Sequence, residues 1–325
     1  MSLLNEFRFI RPETTAQAVT ALAGSTDTRV LCGGTDLLPN LRRGLVSPGA
    51  LVDVSRLESL QQISWEDDRL TLGAAITLEE LANEPRLNRH FPALVKAILS
   101  VAGPSHRAAA SLGGNLCQDT RCIFYNQSDW WRRSNDYCLK YRGELCHVMP
   151  KGDRCYATYH GDIAPVLMAL GAQIDIIGPG GSRRLPLDGL YQENGSHHLS
   201  LEPGELVSTI ILPRHVQWHS GYEKVRVRDA IDFPLAGVAA ALRREGDTLA
   251  QLRLVVTGTN SIPIRVDLSQ LEGGTWSDEA AEEMAKAIRK AVNVLKTTVT
   301  GPKYRRRVVM AMAKRLVSQL WQQAA

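Results

Sequence analysis

The sequence predicts an α+β fold, and three observations carry that prediction. Short strand-like apolar runs and helix-periodic segments are mixed along all 325 residues. No internal repeat is visible. The length corresponds to two or three domains with ample material for real cores.

The elements follow in order. "TTAQAVTAL" (14–22) has helical apolar spacing, with Thr14 or Thr15 as the cap. "TRVLCGG" (28–34) reads as a short buried strand ending in a double glycine, and "ALVDVS" (50–55) as a second strand. A middle region offers a strand at "LTLGAAIT" (70–77) and helices near "LEELANE" (78–84) and "FPALVKAILSVA" (91–102). A second glycine turn and a cysteine-rich stretch lead to a helical "DIAPVLMALGA" (162–172) and a strand "AQIDIIG" (172–178). From about residue 217 the runs "GYEKVRVR", "AGVAAALRRE" and "LAQLRLVVTG" read as strands or strand–turn units. From about residue 277 the pattern turns helical, with "DEAAEEMAKAIRKAV" and "KYRRRVVMAMAKRLVSQLW".

Composition excludes several classes. Hydrophobic residues make up 44% and charged residues 22%, as in soluble globular proteins. The net charge of +4 is modest, and no block of like charges suggests a nucleic-acid tail. The densest basic run, "KYRRR" (303–307), reads as a solvated helix start. "MSLLNEFRFIRPET" lacks a signal peptide's apolar core, and no apolar run approaches the ~18 residues needed to span a bilayer. The expectation is a cytoplasmic protein without membrane or nucleic-acid partners. There disulfides are disfavoured, so grouped cysteines point to metal or redox chemistry.

Two glycine pairs carry the first candidate site. "LCGGTD" puts Gly33 and Gly34 at the end of a buried strand, and "SLGGN" puts Gly113 and Gly114 between Ser111 and Asn115. Successive backbone N–H groups in such turns form anion-binding concavities that suit a pyrophosphate. Neither is G-x-G-x-x-G, and no G-x-x-x-x-G-K-[ST] loop exists, so Rossmann and nucleoside-triphosphatase sites are not indicated. Either pair alone is also what an ordinary turn looks like.

"LCGGTDLL", "GPSHRAAASLGGNLC", "GDIAPVLMALGA", "GELVSTIILP" and "YEKVRVRDAIDFPLAGVAAAL", in this order, resemble the FAD-binding subunit of the molybdenum hydroxylases, the family of xanthine and carbon monoxide dehydrogenases. The resemblance covers almost the whole chain. It implies a two-part FAD-binding domain (1–57 and 58–216) and a smaller α+β C-terminal domain (217–325). Carried over by motif, Val30, Leu31, Cys32, Gly33, Gly34, Thr35, Asp36 and Leu37 would line the pyrophosphate and ribityl chain of FAD. Ser111, Leu112, Gly113, Gly114 and Asn115 would line them from the other side. Val101 would sit near the ring system, Asp162 would contact the dinucleotide, and Val207 and Lys224 would approach the flavin. Two departures from the family's pattern are Ala108, where asparagine is usual, and Thr35–Asp36 in place of commoner polar pairs.

The resemblance also exposes an insertion at about 117–160. Relatives join the second glycine turn to the D-x-x-P helix by a short connection, whereas 46 residues separate Asn115 from Asp162 here. The insertion contains Cys122, Cys138, Cys146 and Cys155, at intervals of fifteen, seven and eight residues with no C-x-x-C pair. A loop of this length has a function or an internal staple. Four thiolates can hold a [4Fe–4S] cluster or structural zinc. Zinc favours closely spaced pairs, so the spacing speaks mildly against it; disulfides and free thiols are the remaining readings. A neighbouring redox cofactor favours the iron–sulfur cluster. Cys32 and Cys117 read as packed thiols, and His147 and His160 as structural. Trp130, Trp131, Arg132 and Arg133 read as the insertion's own small core or as a docking patch for an acidic electron carrier.

Within this family such an insertion resembles the β subunit of 4-hydroxybenzoyl-CoA reductases. That implies a dimer of heterotrimers, with a large molybdopterin subunit holding the substrate and a small subunit with two [2Fe–2S] clusters. Reduced ferredoxin would supply electrons, and 4-hydroxybenzoyl-CoA would be dehydroxylated to benzoyl-CoA. The alternatives are an ordinary hydroxylase subunit whose outlet is NAD, a quinone or oxygen, with zinc or nothing in the insertion, and a non-catalytic assembly module without flavin.

Overall fold

The computed structural model describes residues 6–214 and 218–324. The domain boundary expected at 216/217 and the first five residues lie outside them.

Each of the three sheets is covered by the helices that the chain supplies next to it. The first contains β1 (Arg8–Ile10), β2 (Thr28–Leu31) and β3 (Ala50–Asp53), all parallel in the order β1-β3-β2. Its crossovers carry helices α1 (Thr15–Ala23) and α2 (Leu37–Arg42). The α1 helix starts where Thr14 accepts a hydrogen bond from the Gln17 N–H, and it buries Ala18 and Leu22.

The second sheet is antiparallel, with β4 (Ile63–Trp65), β5 (Arg69–Gly73), β6 (Gln173–Gly178), β7 (Gly181–Pro186) and β8 (Leu206–Pro213) in the order β4-β5-β8-β6-β7. Between β5 and β6 run seven helices: α3 (Leu78–Ala82), α4 (Pro85–His90), α5 (Pro92–Ser100), α6 (Pro104–Arg107), α7 (Leu112–Leu116), α8 (Asp129–Ser134) and α9 (Ile163–Ala169). Thr77 and Glu80 form a capping box at α3, and every residue of α9 is buried.

The third sheet joins β9 (His219–Val225), β10 (Ala236–Glu245), β11 (Thr248–Thr257) and β12 (Ile264–Val266), antiparallel in the order β12-β11-β10-β9, with α10 (Asp278–Ala291) and α11 (Pro302–Gln323). α10 is capped by Ser277, with Asp278 and Glu279 in its first turn and Arg289 and Lys290 in its last, the signs the helix dipole favours.

Strand β10 is the shared wall of two cores. Its side chains alternate in direction, so Ala239 and Ala241 pack with α5 and α9 residues such as Ile98 and Val166. Ala236, Val238, Ala240 and Leu242 face the other way, with Ile288, Val309 and Leu316 of the terminal helices. Both faces are dry, which explains the continuous apolar run.

Two sequence expectations change. "SLGGN" is not a turn: Gly113 and Gly114 lie inside α7, capped by Ser111, whose Oγ accepts from the Gly114 N–H at 3.1 Å. Nor is "KYRRR" wholly solvated. Arg305 is fully buried and donates to the carbonyls of Leu235 and Leu295, both at 3.0 Å, and to that of Gly258. Among the described residues no helix is long and apolar enough to cross a membrane.

Candidate functional site

A cleft of about 1280 Å³ runs between the end of β2, the α6–α7 segment, the start of β8, the loop after β9 and the segment at 297–299. Its floor is built by close backbone packing. β2 ends at Leu31, and Gly34 turns the chain into α2 with φ +69°. Gly33 meets the neighbouring segment so closely that an added Cβ would lie 1.7 Å from the Ala109 carbonyl oxygen. That approach, rather than positive φ, requires glycine there.

Of the residues carried over by motif, Val30 to Leu37, Val101, Ser111, Gly113, Gly114, Asn115, Asp162 and Val207 line this one cleft. Leu112 and Lys224 do not. Leu112 is fully buried in the middle core. Lys224 stands behind Asp162, with Nζ donating to Asp162 Oδ2 at 3.0 Å and to the Ser100 carbonyl at 2.9 Å. Tyr222 Oη donates to Asp162 Oδ1 at 2.6 Å, so both carboxylate oxygens are engaged by the protein. The period-two pattern of "GYEKVRVR" was a signal for this, since it sets Tyr222 and Lys224 on one face of β9.

The cleft has the size and chemistry for a dinucleotide. Its volume exceeds that of common drug-sized pockets. Five lining residues carry buried polar atoms without a hydrogen-bond partner: His106 Nδ1, Asn115 Oδ1, Gln118 Nε2, Arg121 Nε and Asn126 Nδ2. Buried polar atoms are rarely left unsatisfied, and a polar ligand would satisfy them. Of these five, only Asn115 is named as a site residue from the sequence.

The insertion is tied to the floor of the cleft. Arg121 pairs with Asp36 and donates from Nη1 to Asn40 Oδ1 at 2.7 Å, while the Asp119 N–H donates to Asp36 Oδ2 at 3.0 Å. Cys122 follows immediately. Cys122, Cys138, Cys146 and Cys155 are all buried and unpaired, and they line one small cavity with Phe124, Tyr125, Lys140 and His147. Burial pushes the Cys122 thiol up to about 12 and Cys155 to about 11, and thiols of the same group add to both shifts. Among the described residues, no three His, Cys, Asp or Glu side chains are drawn together closely enough to hold a metal ion. The four thiols share a cavity without being gathered at one point.

Cys122, Tyr125 and Lys140 line both the cysteine cavity and the large cleft, so the two are separated by a single layer of side chains. The five described non-glycine residues with positive φ fall at these two places: Ala102 and Ile231 on the cleft, and Asp136, Tyr137 and Arg142 around Cys138. Strained backbone of this kind clusters at functional sites.

The other singled-out residues have structural partners. His147 Nε2 lies 2.5 Å from the Tyr137 carbonyl, and His160 Nδ1 donates to the Pro234 carbonyl at 2.8 Å. Arg132 is buried with its guanidinium over the Tyr141 ring, Trp131 packs near Phe124, and Trp130 is 73% exposed. The exposed charges at 127–153 are Arg133, Arg142 and Lys151 against Asp129, Asp136, Glu144 and Asp153, which is not a basic patch.

Residues 5–215 match the model described as the FAD binding domain in molybdopterin dehydrogenase, and residues 220–320 match the CO dehydrogenase flavoprotein C-terminal domain. A putative xanthine dehydrogenase FAD-binding subunit of Escherichia coli K12 is 26% identical over 314 residues, covering 95% of this chain and 94% of that one. The carbon monoxide dehydrogenase medium chain of Hydrogenophaga pseudoflava is 25% identical, with 98% of each chain covered. The solved carbon monoxide dehydrogenase from Hydrogenophaga pseudoflava superposes with a TM-score of 0.81 at 22% identity over 100% of both chains, a likeness of fold. With matched models spanning both halves, the chain belongs to the family of FAD-binding medium subunits of the molybdenum hydroxylases, alongside those of carbon monoxide and xanthine dehydrogenases.

Proposed function

We propose that this subunit holds FAD in the cleft and an iron–sulfur cluster on Cys122, Cys138, Cys146 and Cys155, and that it moves electrons within a molybdenum enzyme whose substrate site lies on another chain. The observation that carries this reading is the shared wall of Cys122, Tyr125 and Lys140 between the cleft and the cysteine cavity. It sets two candidate redox sites side by side.

The roles proposed for the chain's own residues follow from the geometry. Val30 to Leu37, Ser111 and Gly113 to Asn115 cradle the dinucleotide, with the unpartnered polar atoms of His106, Asn115, Gln118, Arg121 and Asn126 available to it. Lys224 and Tyr222 hold Asp162 in one orientation at the cleft wall. The four thiols suit a cluster by number, burial and lack of disulfide partners, although no three of them are close enough to hold a single metal ion. Burial raises the Cys122 and Cys155 thiols, so these two ionise only with a metal's charge beside them. Bound FAD and an iron–sulfur cluster supply the one- and two-electron chemistry; the protein supplies position and electrostatics.

The finer reading is a 4-hydroxybenzoyl-CoA reductase, a cytoplasmic dimer of heterotrimers with molybdopterin and [2Fe–2S] subunits and ferredoxin as donor. Its support is the four-cysteine insertion. The second reading is an ordinary hydroxylase subunit that passes electrons to NAD, a quinone or oxygen. The absence of a metal-holding group among the described residues favours it.

Iron, sulfide and zinc analysis of the anaerobically purified chain, with its flavin spectrum, separates the two. About four iron and four sulfide per FAD support the cluster. Zinc, or no metal with full flavin, returns the chain to the ordinary hydroxylases. Electron transfer undiminished in a Cys138→Ala variant that has lost its iron would also sink the cluster's role.

A further inference from the structure

We propose that Lys140 is the charge-compensating residue of the cysteine cavity, a fixed cation that raises the reduction potential of a cluster bound there. The inference rests on the reading that the four cysteines hold an iron–sulfur cluster.

Three observations support it. The Lys140 side chain is 5% exposed, and its ammonium uses all three donors: Asp119 Oδ1 at 2.7 Å, Thr120 Oγ1 at 2.6 Å and the Gly195 carbonyl at 2.6 Å. It is therefore pinned and cannot swing out to water. Lys140 also lines both cavities and lies 5.0 Å from the centre of the Tyr125 ring, itself part of their common wall. A second buried cation, Arg132, pairs with Asp129 at 3.6 Å and donates to the Gly44 carbonyl at 2.9 Å. Arg132 stacks 4.5 Å over Tyr141, which packs against the cysteines, and two of its nitrogens have no hydrogen-bond partner.

Burying cations is costly unless negative charge accompanies them. Asp119 supplies one formal negative charge to Lys140. Four thiolates around an iron–sulfur core carry net negative charge, and reduction adds one more. A cation held in low dielectric beside the cavity lowers the energy of the reduced form more than that of the oxidised form. Its presence therefore raises the potential, one of the ways a protein tunes such clusters. The competing account makes Lys140 a neutral-in-effect staple between 119–120 and 195.

The test is an EPR-monitored redox titration, with iron content, of the full chain as wild type, Lys140→Met and Lys140→Arg. The expected result is a midpoint for Lys140→Met lower by about tenfold in the one-electron equilibrium, ~59 mV, with Lys140→Arg close to wild type. If Lys140→Met loses iron while Lys140→Arg keeps both iron and potential, the need for charge is likewise supported. An unchanged midpoint at full iron in Lys140→Met overturns the proposal, as does equal loss of iron in both variants. Wild-type chain without iron would instead refute the cluster itself, which the metal analysis reports separately.

Discussion

Lys224 reaches across from β9 to Asp162, at the head of α9, and the resulting 3.0 Å ion pair joins the C-terminal domain to the wall of the cleft. Both side chains are almost wholly removed from water, at 4% and 6% exposed. Burial is the main influence on Asp162 and raises its pKa, while Lys224 opposes the rise. Lys224 thus offsets part of the cost that burial places on the charged form of Asp162.

Lys224→Met should destabilise the chain by about 3–5 kcal/mol near neutrality, because the buried carboxylate loses its cation. The sign of the pH dependence follows. An acid whose folded pKa is raised costs stability increasingly as pH rises through that pKa, and costs little once protonated. The deficit relative to wild type should therefore be larger at pH 8 than at pH 5, in paired urea unfolding curves. A deficit independent of pH would assign the loss to packing alone.

His160 makes the opposite prediction. Burial, seconded by the charge of Arg305, holds its pKa down at about 3 against an ordinary 6.5. The unfolded chain takes up a proton below 6.5 and the folded chain does not, so stability is lost as pH falls from 6.5 toward 3. His198, held at about 4 by burial, acts in the same direction. His160→Gln can still donate to the Pro234 carbonyl and should flatten the acid side of the stability curve, read as melting temperature from pH 8 to pH 4. An acid limb as steep as wild type would refute the assignment.

Arg305 joins several backbone segments at once. Its guanidinium serves the carbonyls of Leu235, Gly258 and Leu295 and the Thr297 hydroxyl, tying α11 to the loops beside the cleft. Arg305→Met takes this donor from the buried Leu235 and Gly258 carbonyls, each at a cost of about 1–3 kcal/mol, while the Leu295 carbonyl still accepts from the Thr297 N–H. The variant should unfold at clearly lower urea than wild type, with Arg306→Met, on a less buried side chain, close to wild type.

Arg305 also shows what the sequence could and could not reveal. The α+β class and the helices α1, α10 and α11 were legible, because their signals are local: apolar period, caps and end charges. Arg305 was not. Within "KYRRR" each arginine looks alike, and only the packing of α11 on β10 decides which one turns inward. "SLGGN" failed for a similar reason. Glycines suggest a turn, yet Gly113 sits in a helix packed so closely on Ala74 that an added Cβ would lie 2.8 Å from the Ala74 Cβ. The cysteines were visible as a set, but their common cavity, and the place of Lys140 in its wall, depend on how the insertion folds back on residues 36–45. No spacing rule encodes that.

Gly33 gives the sharpest test of the cleft. A Cβ at this position would overlap the Ala109 carbonyl, and the clash is with backbone, so no side-chain rotation relieves it. Gly33→Ala must push the β2 turn away from the segment that leads into α7, opening the cleft between its two floors. The expected outcome is a folded chain purified with little or no flavin, its 450 nm absorbance per chain well below wild type. Gly180→Ala, where an added Cβ meets nothing within 4 Å, should keep full flavin content and serves as the control. If Gly33→Ala binds flavin as tightly as wild type, the dinucleotide does not lie between these two segments, and the roles proposed for Val30 to Leu37 fall with it.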